Sequence, residues 1–302
     1  MKRIILTLIV LHYFCIAGYS QNNTVYNCNG IAVTTQTNTE LTPEIKAQNR
    51  ASALAECGTA IYGARGISAA DILDEPTFTY NCFGYAFHMT EGNANNKVWI
   101  MDNSNLPGNP QKYYDHPPIY LETQTYTDGC FVETTNVGEA VKIVYRLDNQ
   151  AGAPSHIATH AGVVDGSSGK IISKWGNSIL VRHYPEINPY HIINNSLYHY
   201  HYYKRKTPEI SGNNTTICSN ASSSYTVKNP PPGYSWGKSD NLNNPSISGR
   251  TASFTAKNNV SGTGSVSIKN SSGTNLATKN IWVGVPSSIN ISGPTSPSLY
   301  TY

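Results

Sequence analysis

The chain has 302 residues, of which 13% are charged and 39% are hydrophobic, and its formal net charge at pH 7 is +3. This length exceeds one typical domain and predicts two. The hydrophobic content argues against a disordered chain, and the small net charge without a Lys/Arg cluster argues against nucleic-acid binding. The 21 tyrosines suit the surface of a β-rich extracellular protein.

The first residues, 1–20, have the pattern of an export signal peptide. Lys2 and Arg3 precede an apolar run from Ile4 to Ala17, and small residues follow this run. The run is too short to stay in a bilayer as an anchor, and no later segment is apolar enough to cross one. We therefore expect a protein that is secreted or displayed on the cell surface, without a transmembrane segment.

Cysteine content adds a constraint in the oxidising compartment that an export signal implies. Loss of Cys15 with the signal peptide leaves five of the six cysteines, an odd number. At least one thiol then stays unpaired or pairs outside the chain, and Cys82 is the natural candidate, since a nucleophile held in a disulfide is inactive. Cys28 with Cys57 is one pairing that the sequence allows, but spacing does not fix the connectivity.

Residues 21–66 are predicted to form an N-terminal segment with one helix. Thr42 as N-cap and Pro43 in the first turn begin this helix, which runs to about Cys57 and ends at Gly58.

Residues 67–206 are predicted to form the next unit, after a short helical stretch from Ser68 to Leu73. This unit is organised around Cys82, which follows a turn-forming Asn81. Apolar residues then recur at helical spacing, at Phe83, Ala86 and Phe87. A cysteine at a helix N-terminus is favoured as the thiolate, because the helix dipole and the backbone N–H groups stabilise negative charge. Cys82 is therefore the predicted nucleophile.

Strands are predicted downstream from their β-branched and alternating residues, at Val98–Met101, Val141–Tyr145 and Leu197–Tyr203. A hairpin lies between them, with its first strand, turn and second strand at Ala161–Val164, Asp165–Gly169 and Lys170–Gly176. If the turn closes so that Asp165 faces Lys170, then His160 falls opposite Trp175.

His160 is the candidate base, 78 positions after Cys82. It would take the thiol proton and later give a proton to the leaving amine. In the predicted register Ser173 shares the face of His160 and is the positional candidate to orient its ring, while Lys174 points away. His183 ranks behind Ser173 on position but ahead on chemistry, and Asn177 is a further alternative.

Each of these residues also has an ordinary structural explanation. Taken alone, Cys82 is more simply a buried structural thiol and His160 a core histidine. Together with the surrounding pattern they favour a functional site. The backbone N–H of Cys82 is the default donor to an oxyanion, with Asn81 or Tyr80 as alternatives.

A metal site is weighed at His199 and His201, which place two imidazoles on one strand face. No third ligand with matching spacing appears in the sequence, so a face lined with Tyr and His is preferred. We therefore expect neither a metal nor a cofactor.

Residues 207–286 are predicted to form an all-β sandwich, because beyond Pro208 the composition shifts to Ser, Asn, Thr and Gly with short alternating strands. Ile210-Ser211-Gly212 recurs as Ile291-Ser292-Gly293, 81 positions later. Residues 287–302 are thus the expected start of a second, truncated repeat, with more modules expected in the full protein.

Several motifs between about Ile67 and Lys204 occur in a familiar order: Tyr80-Asn81-Cys82-x-x-Tyr85-Ala86, Val98-Trp99-Ile100, His160-Ala161-Gly162-Val163-Val164, Ile172-Ser173-Lys174-Trp175-Gly176, Arg182-His183-x-Pro185 and Pro189-Tyr190. They resemble secreted bacterial papain-like cysteine hydrolases, near the cell-wall amidases and endopeptidases of NlpC and CHAP type. The resemblance implies an α+β papain-like domain over 67–206, with Cys82 as nucleophile and His160 as base. Ser173 departs from the family, which usually has Asn, His, Asp or Glu there.

The second unit carries its own motifs: Ile210-Ser211-Gly212, Ile217-Cys218, Tyr225-Thr226-Val227, Gly233-Tyr234-Ser235-Trp236 and Ile281-Trp282-Val283-Gly284. They resemble the immunoglobulin-like repeats appended to large secreted proteins of Bacteroidota. The resemblance implies a spacer or stalk.

The fold class expected from these patterns is an α+β papain-like domain followed by an all-β immunoglobulin-like sandwich. The expected function is hydrolysis of an amide through an acyl-enzyme on Cys82, in peptidoglycan stem peptides or in extracellular protein. The alternative, from another class, is a surface adhesion or binding protein whose papain-like domain has lost catalysis.

Overall fold

We analysed a computed structural model that describes residues 22–100, 112–114, 127–147, 157–189, 198–212 and 216–285. The predicted signal peptide and the predicted second repeat lie outside these residues, as does Tyr190 of the last hydrolase-like motif. The chain divides into two compact units, Met1–Lys206 and Thr207–Tyr302.

The described residues contain three α-helices, all in the first unit: α1 (Pro43–Cys57), α2 (Thr59–Tyr62) and α3 (Cys82–Phe87). Short 3-10 turns lie at Gly63–Arg65, Ala69–Asp71, Met89–Glu91 and Val137–Glu139. The prediction for α1 is confirmed: the Thr42 side chain accepts a hydrogen bond from the N–H of Ile45, Pro43 is the first helical residue, and Gly58 follows the last.

Two antiparallel sheets build the first unit. The smaller has the order β1-β2-β4, with strands β1 (Asn22–Tyr26), β2 (Ala32–Gln36) and β4 (Trp99–Ile100). The larger has seven strands in the order β3-β9-β8-β7-β6-β10-β5. Its strands are β3 (Ile72–Asp74), β5 (Phe131–Glu133), β6 (Lys142–Leu147), β7 (Ile157–Asp165), β8 (Lys170–Lys174), β9 (Leu180–His183) and β10 (Tyr198–Arg205).

The hairpin of β7 and β8 has the predicted register. Asp165 pairs with Lys170, and Val163 pairs with Ile172. The alternation of apolar residues had fixed which side chains share a face, and the glycine-containing turn fixed the pairing.

The two faces of the seven-stranded sheet carry different helices. Val144 and Ala161 pack in one apolar cluster with Phe83 and Phe87 of α3. On the other face Trp175 of the turn after β8 packs against α1, in a cluster that includes Cys57. We call these two sides of the sheet the α3 face and the α1 face.

The predicted α+β papain-like domain is wrong. Strands in two sheets dominate the described part of the first unit, and its helices are short, with only six residues in α3. Ser68–Leu73, predicted to be helical, forms one 3-10 turn and then enters strand β3. Short sequence motifs suggested the papain-like family, whereas pairing between strands that are distant in sequence determines the architecture. That pairing makes the described chain β-rich.

The second unit consists of two four-stranded sheets, in the orders β11-β13-β16-β15 and β12-β18-β17-β14. Their strands are β11 (Glu209–Ser211), β12 (Thr216–Ile217), β13 (Ser222–Lys228), β14 (Ser235–Lys238), β15 (Ser246–Ser248), β16 (Thr251–Thr255), β17 (Gly262–Lys269) and β18 (Asn275–Val283). Tyr225 and Phe254 from one sheet share an apolar core with Val266 and Val283 from the other. The resemblance to immunoglobulin-like repeats stays a prediction.

The cysteine pairing differs from the one considered from sequence. Cys28 is bonded to Cys130, 102 positions away, and not to Cys57. Cys57 is a buried thiol at the end of α1, on the α1 face of the sheet. Sequence spacing offered no guide, because the two bonded residues meet only when the chain has folded.

Among the helices of the described residues, none is both long and apolar enough to span a bilayer.

Candidate functional site

Cys82 is the first residue of α3, as predicted, and its side chain is a buried thiol with 4% of its surface exposed. Asn81 caps the helix, since its Oδ1 accepts a hydrogen bond from the N–H of Gly84 at 2.9 Å. The same side chain bridges to β4: Nδ2 donates to the carbonyl oxygen of Ile100 at 2.7 Å, and Oδ1 also accepts from the Ile100 N–H at 3.2 Å. These bonds fix the start of α3, and so the position of Cys82, against β4.

The two alternative oxyanion donors are engaged elsewhere. The amide of Asn81 is occupied by the bond to Ile100. The hydroxyl of Tyr80 donates to Oδ2 of Asp74 at 2.8 Å, and the ring is almost fully buried. The backbone N–H of Cys82 stays the predicted donor.

His160, Ser173 and His183 are brought together as one buried cluster. Nε2 of His160 lies 3.0 Å from Oγ of Ser173, and Nε2 of His183 lies 2.6 Å from the same oxygen. Nε1 of Trp175 donates to this oxygen at 3.1 Å. The hydroxyl of Ser173 is therefore the centre of a network that joins β7, β8 and β9.

The direction of each bond in this network follows from the partners. Nδ1 of His183 lies 2.7 Å from the carbonyl oxygen of Tyr184, so it carries a hydrogen and Nε2 is the acceptor. The Ser173 hydroxyl then donates to His183 and accepts from Trp175 and from His160, which is protonated on Nε2. Every hydrogen-bonding position of the hydroxyl is used, which is the pattern of a structural network.

Both histidines are held in the neutral form. Burial lowers the pKa of His160 well below its usual value, and the neighbouring His183 adds to the shift. Burial likewise lowers the pKa of His183 to about 4, although the carbonyl of Tyr184 favours the charged ring. Neither imidazole is matched to proton transfer near neutral pH.

His160 and Cys82 lie on opposite faces of the seven-stranded sheet. Across the ladder of β6 and β7, His160 pairs with Tyr145 and Ala161 pairs with Val144. Successive residues of a strand point to opposite faces. Ala161 and Val144 belong to the cluster that contains Cys82, whereas the ring of Tyr145 packs 5.2 Å from that of His160 on the other side. The structure therefore does not bring the predicted nucleophile and base together.

Lys174 lies on the α3 face, where sequence reasoning had set it aside because it points away from His160. It is fully buried, and its Nζ donates to three carbonyl oxygens. The distances are 3.0 Å to Thr77, 2.7 Å to Gly176 and 2.6 Å to Ser178. The strand alternation had correctly predicted that Lys174 and His160 lie on opposite faces. Because Cys82 was expected to face His160, sequence reasoning did not place Lys174 on the side of Cys82.

The electrostatic surroundings of Lys174 include Cys82. Burial lowers the pKa of Lys174 to about 7, even though the negative charges of Asp74, a Cys82 thiolate and Glu40 oppose the shift. Three carbonyl acceptors require three N–H groups, which only the ammonium form has. Lys174 is thus a buried cation on the face of the sheet that also carries the buried thiol of Cys82.

Other predicted residues are placed away from both groups. His201 contacts a carboxylate, with Nδ1 at 2.7 Å from Oε1 of Glu133, and His199 pairs with Arg146 across the ladder of β10 and β6. No three His, Cys, Asp or Glu side chains are grouped as a metal site in the described part of the chain. Asn177 lies in the turn after β8, where its carbonyl oxygen accepts a hydrogen bond from the side chain of Asn49.

One family model matches a part of the first unit. Residues 71–200 match the model of a domain of unknown function, DUF7689. The matched range contains Cys82, His160 and Lys174. A search of curated proteins finds no match to the chain.

Proposed function

We propose that the first unit is a secreted cysteine-dependent amide hydrolase with Cys82 as the nucleophile. The sulfur would attack the carbonyl carbon of the amide and the C–N bond would break, so that the acyl group stays on sulfur as a thioester. The leaving amine would take a proton from solvent water, and a further water molecule would then hydrolyse the thioester to the carboxylic acid and the free thiol.

The placement of Cys82 carries this proposal. Its backbone is fixed by the Asn81 cap and the bonds of that side chain to Ile100. Its sulfur stays a thiol while Cys28 and Cys130 pair with each other. A nucleophile held by a rigid first turn and by the neighbouring strand is the arrangement that covalent catalysis requires.

His160 has no part in this reaction, since it faces the opposite side of the sheet. Ser173 and His183 are bonded to it there and serve to hold β7, β8 and β9 together. The substrate class, an amide of peptidoglycan or of an extracellular peptide, is supported by the motif resemblance alone.

A second candidate is a surface binding protein without catalysis. The observation that favours it is the burial of Cys82, with 4% of its surface exposed, together with the position of His160 on the opposite face of the sheet. A structural thiol has no reason to be ionised near neutral pH.

The rate of alkylation by iodoacetamide separates the two candidates, and the chain supplies its own controls. Cys218 is an exposed thiol, and burial raises the pKa of Cys57 to about 12, with the charge of Glu56 adding to the shift. A catalytic Cys82 should label at pH 6.5 faster than Cys218, while Cys57 stays unlabelled; peptide mass spectrometry gives all three rates. Slower labelling of Cys82 than of Cys218 at every pH favours the binding protein.

Hydrolysis itself is tested by incubation with purified peptidoglycan and with a mixed peptide library, followed by detection of new amino groups. Activity should disappear in Cys82→Ala and persist in Cys218→Ala, because Cys218 lies in the second unit. Equal activity of the two variants would refute the role of Cys82.

A further inference from the structure

The α3 face, which is otherwise lined mainly by apolar side chains, contains the buried ammonium group of Lys174. An ammonium group removed from water is destabilising unless it is fully hydrogen-bonded or neutralised. Lys174 is fully buried, and the first unit supplies it with three backbone carbonyl oxygens. Those carbonyls come from the loop that leads to Cys82 and from the turn after β8, so this cation ties the Cys82 loop to that turn.

We propose that Lys174 holds the Cys82 thiol in its ionised form and is the positioning residue of the site. The inference rests on the proposed function. Lys174 does not take part in bond making: the positive charge of its ammonium form lowers the free energy of the thiolate relative to the thiol.

The position of the ammonium group is fixed by its surroundings. Its three N–H groups are used by Thr77, Gly176 and Ser178, and Nζ also lies 5.3 Å from the centre of the Tyr80 ring. Tyr80 is two residues before Cys82 in the same loop. Because no N–H is left for sulfur, the stabilisation is Coulombic, and it is strong only because water is excluded.

Other charged groups also affect the protonation of Lys174. The carboxylates of Asp74 and Glu40 favour the ammonium form of Lys174, as a Cys82 thiolate does, and Lys97 opposes it. Lys97 lies 3.8 Å from Asp74 in an exposed ion pair. A Cys82 thiolate adds a third negative charge to these two carboxylates, so ionisation of the thiol and protonation of Lys174 favour each other.

Two other sources of positive charge are weaker. Helix α3 has six residues, too few for a large dipole at its N-terminus. Lys142, the other buried lysine on this face, is already neutralised, because its Nζ lies 2.7 Å from Oε1 of Glu91. It provides the matched control: burial lowers its pKa to about 7 as well, but its charge is paired away from Cys82.

The test compares Lys174→Met and Lys142→Met in the full chain, with Cys82 alkylation measured from pH 5.5 to 9. In the wild type we expect half-maximal labelling below the ordinary thiol pKa of about 8.5. Lys174→Met should move this midpoint up by at least about one pH unit and slow labelling at pH 6.5 by about tenfold, since one pKa unit is tenfold in thiolate below the pKa. Lys142→Met should leave the midpoint unchanged.

A second measurement needs no change at Lys174 and so survives misfolding of that variant. Coupling between two groups is mutual. Titration of the lysine side-chain carbons by NMR should therefore show a lower pKa for Lys174 in Cys82→Ser than in the wild type. The pKa of Lys142 should be the same in both.

The outcomes separate the inference from the proposed function. A wild-type Cys82 that labels only at alkaline pH overturns the proposed function. A wild-type Cys82 that labels at pH 6.5, with the same midpoint in Lys174→Met, overturns the inference alone. Equal slowing in both lysine variants, or a Lys174 titration that ignores Cys82→Ser, also overturns it.

Discussion

Nε2 of His160 and Oγ of Ser173 lie 3.0 Å apart, on the face of the seven-stranded sheet that α3 does not cover. The hairpin register had predicted that Ser173 and His160 share a face. The other hydrogen bonds of the Ser173 hydroxyl indicate that this contact has a structural role. The hydroxyl also serves His183 and Trp175, so one oxygen satisfies three buried nitrogen atoms.

Ser173→Ala should therefore destabilise the first unit without changing the reactivity of Cys82. The variant leaves buried polar atoms of His160, His183 and Trp175 without the Ser173 hydroxyl, at about 1–3 kcal/mol for each unsatisfied group and about 3–9 kcal/mol if the three costs add. Denaturant unfolding followed by hydrogen exchange of first-unit peptides measures the loss. Ser168→Ala, in the exposed turn of the same hairpin, is the control and should cost less than about 1 kcal/mol. A loss of Cys82 labelling in folded Ser173→Ala would contradict this assignment.

Acid should weaken the first unit through the two buried histidines. Their folded-state pKa values lie below the unfolded value of about 6.5, well below it for His160 and at about 4 for His183. The unfolded chain then binds more protons as the pH falls, so stability is complete above about pH 6.5 and is lost progressively towards pH 4. The expected loss is about 1.4 kcal/mol per pH unit for each histidine once the unfolded ring is charged.

This pH dependence is measured as the free energy of unfolding of the first unit between pH 8 and pH 4. His183→Gln removes one titrating ring and should flatten the curve over that interval, whereas carboxylates contribute equally to both proteins. Identical slopes in the variant and the wild type would show that His183 is charged in the folded state.

Asn81→Ala should loosen the start of α3 and the edge of the smaller sheet together. Its side chain caps the helix at Gly84 and bonds both backbone groups of Ile100, so the loss should exceed the typical cap value of about 1 kcal/mol and reach about 2–4 kcal/mol. Hydrogen exchange should rise in peptides that cover α3 and β4. Protection that falls in α3 alone would mean that the bonds to Ile100 contribute nothing.

Replacing Cys28 and Cys130 by Ser should lower the stability of the first unit by about 2–5 kcal/mol, since the bridge closes a long loop. Peptide mapping without reduction should recover Cys28 joined to Cys130, with Cys57 as a thiol. A peptide that joins Cys28 to Cys57 would refute the pairing in the structure.

The local elements were within reach of sequence reasoning because their signals are local. Thr42 and Pro43 mark the start of α1, and Asn81 marks the start of α3, through capping bonds that span three residues. The pairing of Asp165 with Lys170 follows from a short turn between alternating strands.

By itself, then, the sequence determined where α1 and α3 begin, the register of β7 and β8, and that Ser173 shares a face with His160 while Lys174 takes the other. Only the tertiary structure decided which of those faces α3 covers, and which cysteine bonds to Cys28. The physical reason is the same in both cases. Strand alternation determines which side chains share a face of the sheet. Which of the two faces α3 covers depends on packing between segments that are distant in sequence, and a local sequence pattern does not encode that packing.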